Sequence, residues 1–291
     1  RGRSRGVNTL HSILQTRLRR WQSGEERALW GEYKRESGNR ERRVQNAGMA
    51  AEVKQARRKA AEGEYSKACQ ALDSPGIHQL TEEVVKILGD LHPTGAPVRP
   101  LTGSLPSAVQ MEEEEVLKAV KSFANGSSGG ASCLTPQHLL DGILCSSPVL
   151  QERAITALTT LVNVMVAAEA PECIACYVAG APLTALKKGD GGVRPIAVGE
   201  TLRRVAGKCL MQHDTVKKSL DDMFLPDQVG VGVKDGATAV AHAVRVLVDE
   251  HGGDGNRALL KVDLKNAFNK VSRQAFIDAV GTEMPGLARW V

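Results

Sequence analysis

The 291-residue chain carries 38 Lys and Arg against 33 Asp and Glu, a formal net charge of +5, and 42% of its residues are hydrophobic. That length allows about two domains and a sizeable core. No run approaches eighteen apolar residues, which excludes a membrane-spanning helix. The six scattered cysteines read as free thiols in a reducing, intracellular compartment.

Charge is unevenly placed. Residues 1–70 hold 17 Lys and Arg against 8 Asp and Glu, a net of +9, and the remaining 221 residues hold 21 against 25, a net of −4. The basic residues come in runs: Arg17 with Arg19 and Arg20, Arg40 with Arg42 and Arg43, and Arg57-Arg58-Lys59, interleaved with Trp21, Trp30 and Tyr33. Two readings stand for this stretch. It is a helical arm that contacts nucleic-acid phosphates, or a solvated, partly disordered leader. The start lacks Met and has no signal-peptide apolar region.

Residues 71–106 follow, with a helix expected over Thr81–Leu91 and then a Pro/Gly-rich linker from His92 to Pro100. From 107 to 291 the pattern is globular. The acidic run Glu112–Glu115 suits a helix start, where the dipole favours it. That helix leads through Ser122 and Phe123 into Gly126-Ser-Ser-Gly129-Gly130, and then Pro136-Gln137-His138-Leu139. A long helix is expected over Val149–Ala168. Cys173-Ile-Ala-Cys176 is a lone pair of thiols, with no second pair at zinc-finger spacing. His138 and His213 read as structural.

In the block that runs from Leu183 to Val205, two short strands flank Gly189-Asp190-Gly191-Gly192, a hairpin turn. Pro195 puts the second strand at a sheet edge. The hairpin is expected to bring Lys187, Lys188 and Arg194 to one place, as a triphosphate or template phosphate requires. A helix follows with Leu202, Val205, Ala206, Cys209 and Leu210 on one face and Arg204 and Lys208 off it. The adjacent acids Asp221-Asp222 read as surface residues at a helix end. Asp227-Gln228-Val229-Gly230-Val231 precedes a helix from Asp235 to about Glu250, with Val240, Ala243, Val244, Leu247 and Val248 on its apolar face.

Ala258-Leu259-Leu260-Lys261-Val262 reads as a buried strand that delivers Asp263 to its end, with Phe268 five residues on. A strand-end carboxylate beside a turn can hold a hard cation through oxygen ligands. Ser272 is the expected N-cap of a last helix, with Phe276, Ile277, Ala279 and Val280 inward.

These four blocks, in this order, resemble reverse transcriptases of non-LTR (LINE-like) retrotransposons over about residues 107 to 291. The chain departs from that pattern where Ala131-Ser132-Cys133 stands for the usual Pro-Asp-Gly. The resemblance implies an α+β fold, with a helical N-terminal extension, right-hand polymerase fingers and a partial palm of antiparallel strands. It implies an RNA-directed DNA polymerase working on an RNA template, a DNA primer and dNTPs, with a nuclear location. Asp263 and the Leu264 carbonyl would hold Mg²⁺, in a reaction that uses two such ions. Lys187, Lys188 and Arg194 would meet the triphosphate. Phe268 would lie under the sugar and select deoxynucleotides. Arg203 or Arg204 would contact the template or brace the hairpin. The family's later Asp-Asp motif does not occur before Val291, so a fragment without polymerase activity of its own is expected. The rival readings are a non-catalytic nucleic-acid-binding remnant and a helical interaction protein.

Overall fold

The computed structural model describes residues 3–32, 35, 51–61, 63–101, 103–145, 147–264 and 266–291. Tyr33, the Arg40–Arg43 run and Lys265 lie outside the described residues. The chain divides into two compact units, Arg1–Ser74 and Pro75–Val291. Helix predominates in both, and a two-stranded antiparallel hairpin makes the whole α+β.

In the first unit, α1 (Arg3–Gln22) is a polar helix with Arg19 and Arg20 in its last turn. Its end is tied down by charge. The Arg20 guanidinium donates to Glu25 at 2.9 Å and to both carboxylate oxygens of Glu32 at 2.9 and 3.0 Å. Both carboxyls are held below their usual range, chiefly by those hydrogen bonds. Trp21 and Trp30 are exposed. The helices α2 (Ala51–Ala61) and α3 (Tyr65–Leu72) form a close pair on small residues, Ala56, Ala60, Ala68 and Ala71. Glu64, between them, takes Lys59 at 3.0 Å and Lys67 at 2.8 Å.

The second unit is built around five helices. After α4 (Glu82–Leu91) come α5 (Glu113–Lys121), α6 (Pro136–Ile143), α7 (Pro148–Val166) and the short α8 (Ala175–Ala179). The hairpin strands β1 (Leu183–Lys187) and β2 (Val193–Ala197) precede α9 (Thr201–Gln212) and α10 (Asp214–Phe224). The chain closes with α11 (Gly236–His251), α12 (Ala267–Lys270) and α13 (Arg273–Glu283).

Helices α5, α6, α7, α9 and α10 bury one cluster, centred on Val116, Val120, Val162, Val205, Cys209 and Leu210. Burial pushes the Cys209 thiol up to about 11, so it stays neutral and acts as a small apolar group. Capping fixes several of these helices. Glu112 and Glu115 form a reciprocal box at the start of α5. Thr135 and His138 do the same for α6, and His213 accepts from Thr215 N at 3.3 Å at the start of α10. Both histidines therefore serve as helix caps. Asn163 of α7 clamps the entry to α5 by pairing with the Met111 N–H at 2.8 Å and its carbonyl at 3.0 Å.

Two expectations need correction. The Ala258–Val262 strand is absent: residues 257–264 run as exposed chain with no ladder partner among the described residues. The apolar faces of α11 and α13 are also largely uncovered. Val240, Leu247, Val248 and Phe276 are exposed, and of the four inward residues expected on α13 only Val280 is buried. Periodic apolar residues record a preference for burial. They do not supply the surface that satisfies it.

The linker expected after His92 lies along α13. The Arg99 N–H donates to Gln274 Oε1 at 2.7 Å, the Leu101 side chain packs on Gly281, and Arg289 Nε donates to the Pro106 carbonyl at 2.7 Å.

The loop before α6 explains the departure at Ala131-Ser132-Cys133. Cys133 sits at φ 60°, in the left-handed region that a glycine occupies without strain. Cys133→Gly is therefore expected to raise stability by about 1 kcal/mol. Urea unfolding midpoints of the two proteins measure this, and a destabilised glycine variant contradicts it.

Candidate functional site

The hairpin and the loop–helix junction behind it carry most of the chemistry. In the hairpin turn, Gly191 N–H donates to the Lys188 carbonyl at 3.0 Å and Lys188 N–H to the Gly192 carbonyl at 2.8 Å. Asp190 Oδ1 accepts from Gly192 N at 2.9 Å, and Gly191 sits at φ 80°. This is a three-residue loop whose last position must be left-handed, which Gly191 supplies. On the side away from β2, β1 is bridged by Ile77, with His78 N–H donating to the Ala185 carbonyl and Lys187 N–H to the Gly76 carbonyl. Strand β2 pairs with β1 alone among the described residues, so Pro195 lies on an edge strand, as its missing N–H demands. Ala185 and Val193 bury against Leu88 of α4, which seats the hairpin.

The register corrects one expectation. Arg194 faces Leu186, whereas Lys187 faces Val193. Because side chains alternate across a strand, Arg194 and Lys187 occupy opposite faces. Lys188, paired with Gly192, falls on Arg194's face by the same alternation. All three side chains are exposed and make no ion pair with a described residue. The hairpin offers Lys188 with Arg194 as one cationic face and Lys187 at its rim.

Behind it, Glu200 at the start of α9 is buried and holds the loop. Its carboxylate accepts from Ser132 N at 2.8 Å and from Ser132 Oγ at 2.6 Å. Gly130 lies against the Glu200 backbone so closely that a Cβ there would come within 2.7 Å of its Cα. Thr201 donates to the Leu134 carbonyl, and Arg204 to the Ser128 carbonyl. Phe123 lies near two cations: the Arg204 guanidinium is 5.4 Å and the Lys208 ammonium 4.6 Å from its ring centre. Sequence reasoning missed Glu200 and Phe123. The signal was there: an acid at a helix start, and a loop able to donate to it.

Arg203 and Arg204 brace protein. Arg204 grips the glycine-rich loop, and Arg203 donates to the Ala179 carbonyl at 3.0 Å with its guanidinium 5.8 Å from the Trp290 ring centre. Their hydrogen bonds go to the end of α8, the glycine-rich loop and Thr201, and not to the hairpin strands.

Asp263 and Leu264 lie in the exposed segment 257–264, and Asp263 makes no hydrogen bond or ion pair with a described residue. Mg²⁺ is held by one or two carboxylates together with waters and substrate phosphates, and Asp263 with the Leu264 carbonyl supplies one carboxylate where two ions need several between them. Among the described residues no three His, Cys, Asp or Glu converge on one point. The residues present therefore do not fit a two-ion centre.

Phe268 is 97% exposed. A core role is thereby removed, and Phe268→Ala is expected to change folding stability by less than about 0.5 kcal/mol. A loss of several kcal/mol in a denaturant melt would return it to the core.

No described helix is long and apolar enough to cross a membrane. No family model matches the chain, and no solved structure matches it. Over 176 residues the chain is 26% identical to the retrotransposable element SLACS 132 kDa protein of Trypanosoma brucei gambiense. That stretch covers 60% of this chain and 14% of the relative's length. The similarity supports a retroelement-related origin for the chain.

Proposed function

We propose that this chain is part of a retroelement RNA-directed DNA polymerase, and that the β1–β2 hairpin is its nucleotide-phosphate contact. The observation that carries this reading is the hairpin itself: a well-seated turn with Lys188 and Arg194 on one exposed face, engaged by no anion among the described residues. The braced loop of residues 126–135 and the retroelement similarity support it. RNA template, DNA primer and dNTPs are the partners in this reading. Asp263, Leu264 and Mg²⁺ belong to the same reading by resemblance, but one carboxylate cannot set up two-ion chemistry. No catalytic step is assigned to these 291 residues.

The test is equilibrium binding of a fluorescent dNTP to the whole chain. Arg194→Ala should weaken binding about tenfold, because it removes a charge-assisted contact to phosphate. Arg203→Ala, which loses a contact to Ala179 instead, should leave that site intact. Absence of dNTP binding, or equal loss in both variants, would sink the assignment.

The alternative, a nucleic-acid-binding remnant without nucleotide chemistry, is favoured by the exposed basic helix α1. It predicts salt-sensitive binding of RNA or DNA with no dNTP affinity.

A further inference from the structure

Two of the six cysteines lie on one short turn. Residues Glu172–Ile174 make a 3-10 turn that runs straight into α8. Ile174 and Ala175, the two residues between Cys173 and Cys176, both hold right-handed helical angles, φ −97°, ψ −5° and φ −56°, ψ −41°. Two such residues in succession bring the flanking Cα atoms within about 7 Å. Side chains three apart on a helical turn are neighbours on one face. A disulfide asks for Cα atoms about 4.4–6.8 Å apart, so the backbone already stands at bridging distance.

The turn is anchored and its thiols are open. The Ile174 N–H donates to the Pro171 carbonyl at 3.0 Å, Val178 packs against the main core, and Arg203 holds the Ala179 carbonyl at 3.0 Å. Every residue from Pro171 to Tyr177 is exposed, and Cys173 and Cys176 are both free thiols. The other cysteines differ. Cys209 is buried, and Cys69, Cys133 and Cys145 have no second cysteine within ten residues of sequence.

We propose that Cys173 and Cys176 form a reversible dithiol–disulfide site whose oxidant is a low-molecular-weight disulfide of the glutathione type. One cysteine thiolate attacks the small disulfide, breaks its S–S bond and releases one small thiolate. The second cysteine thiolate then attacks the protein sulfur of the mixed disulfide and displaces the other small thiolate. Two electrons pass to the oxidant, and the two protons lost by the cysteines end on the two small thiols. The second step is fast and favoured because both partners sit on the same turn. An exposed bridge of this kind is easily reduced again. The site uses no nucleotide or nucleic acid, so it stands apart from the polymerase reading.

The test is a redox titration of the whole chain in buffers of varied glutathione to glutathione disulfide ratio, quenched with acid, alkylated and digested with trypsin. Trypsin releases residues 154–187 as one peptide that contains Cys173 and Cys176 and no other cysteine. Mass spectrometry should show this peptide lighter by two hydrogens and without alkyl groups as the buffer becomes oxidising. With a neighbouring thiol at an effective concentration of millimolar or more and glutathione at about 0.1 mM, the internal disulfide should exceed the glutathione adduct about tenfold. Cys173→Ser and Cys176→Ser should each give only the adduct on the remaining cysteine, as exposed Cys69 should in the unchanged protein. The same titration in urea should require a more oxidising ratio, because the folded turn no longer holds the pair together. A peptide that stays a dithiol while Cys69 takes up glutathione would overturn the proposal. So would adducts on the pair in place of the internal bridge, a bridge from either cysteine to another position, or equal titration in urea.

Discussion

Removal of residues 1–74 should lower affinity for RNA or DNA by about a hundredfold at low salt, and flatten its dependence on salt. The cut removes 17 Lys and Arg against 9 Asp and Glu and falls at the boundary between the two compact units. Each phosphate contact releases condensed counterions, so each one removed takes about 0.9 off the slope of log K against log salt on a duplex. The exposed surface of α1 presents Arg17 and Arg19 on a helix with no acid in its first turn. Removing about four phosphate-binding cations would make the slope shallower by roughly 3.6. Arg20 should contribute less than Arg19, since Glu25 and Glu32 already hold it. Fluorescence anisotropy titrations at several salt concentrations measure both quantities. An unchanged slope would place the binding surface in the second unit.

Glu200→Ala should destabilise the second unit by about 2–3 kcal/mol. The change leaves Ser132 N–H and its hydroxyl without their acceptor in a partly buried site. It also opens a void under Gly130, which approaches the Glu200 backbone too closely for a side chain of its own. Glu200→Gln should cost less, because one amide oxygen still accepts while the charge is lost. The loop also receives Thr201 and Arg204, so its loosening should reach the Phe123 ring, against which Arg204 and Lys208 lie. Urea midpoints rank the three proteins. Equal midpoints for the Ala variant and the original would show that the loop does not depend on this carboxylate.

The outcome at Ala131-Ser132-Cys133 shows how a departure from a familiar pattern can be absorbed. The sequence asks for a residue tolerant of positive φ in this loop, and Cys133 takes that conformation. The turn is then held from outside by Glu200, 68 residues away in the chain. No local window of sequence contains that pair, so the brace is visible only once α9 has packed beside the loop.

Several short-range features were legible from the residues alone: most of the longer helices, the Ser272 cap, the glycine-rich hairpin turn, the edge position of Pro195, and the buried stripe of α9. Thr81 accepts from Val84 N and Ser272 from Ala275 N, as their positions before apolar-periodic runs require. These features depend on neighbours within a few residues, so composition and spacing suffice to read them. Packing settled which preferences were met. It set Lys187 and Arg194 on opposite faces through the β1–β2 register, turned Arg203 and Arg204 toward protein carbonyls, and left Leu260, Val262, Asp263 and Phe268 exposed. An apolar strand pattern or a lone carboxylate states what kind of neighbour it needs. Whether that neighbour is in place depends on contacts between residues far apart in the chain, and those contacts are properties of the packed molecule.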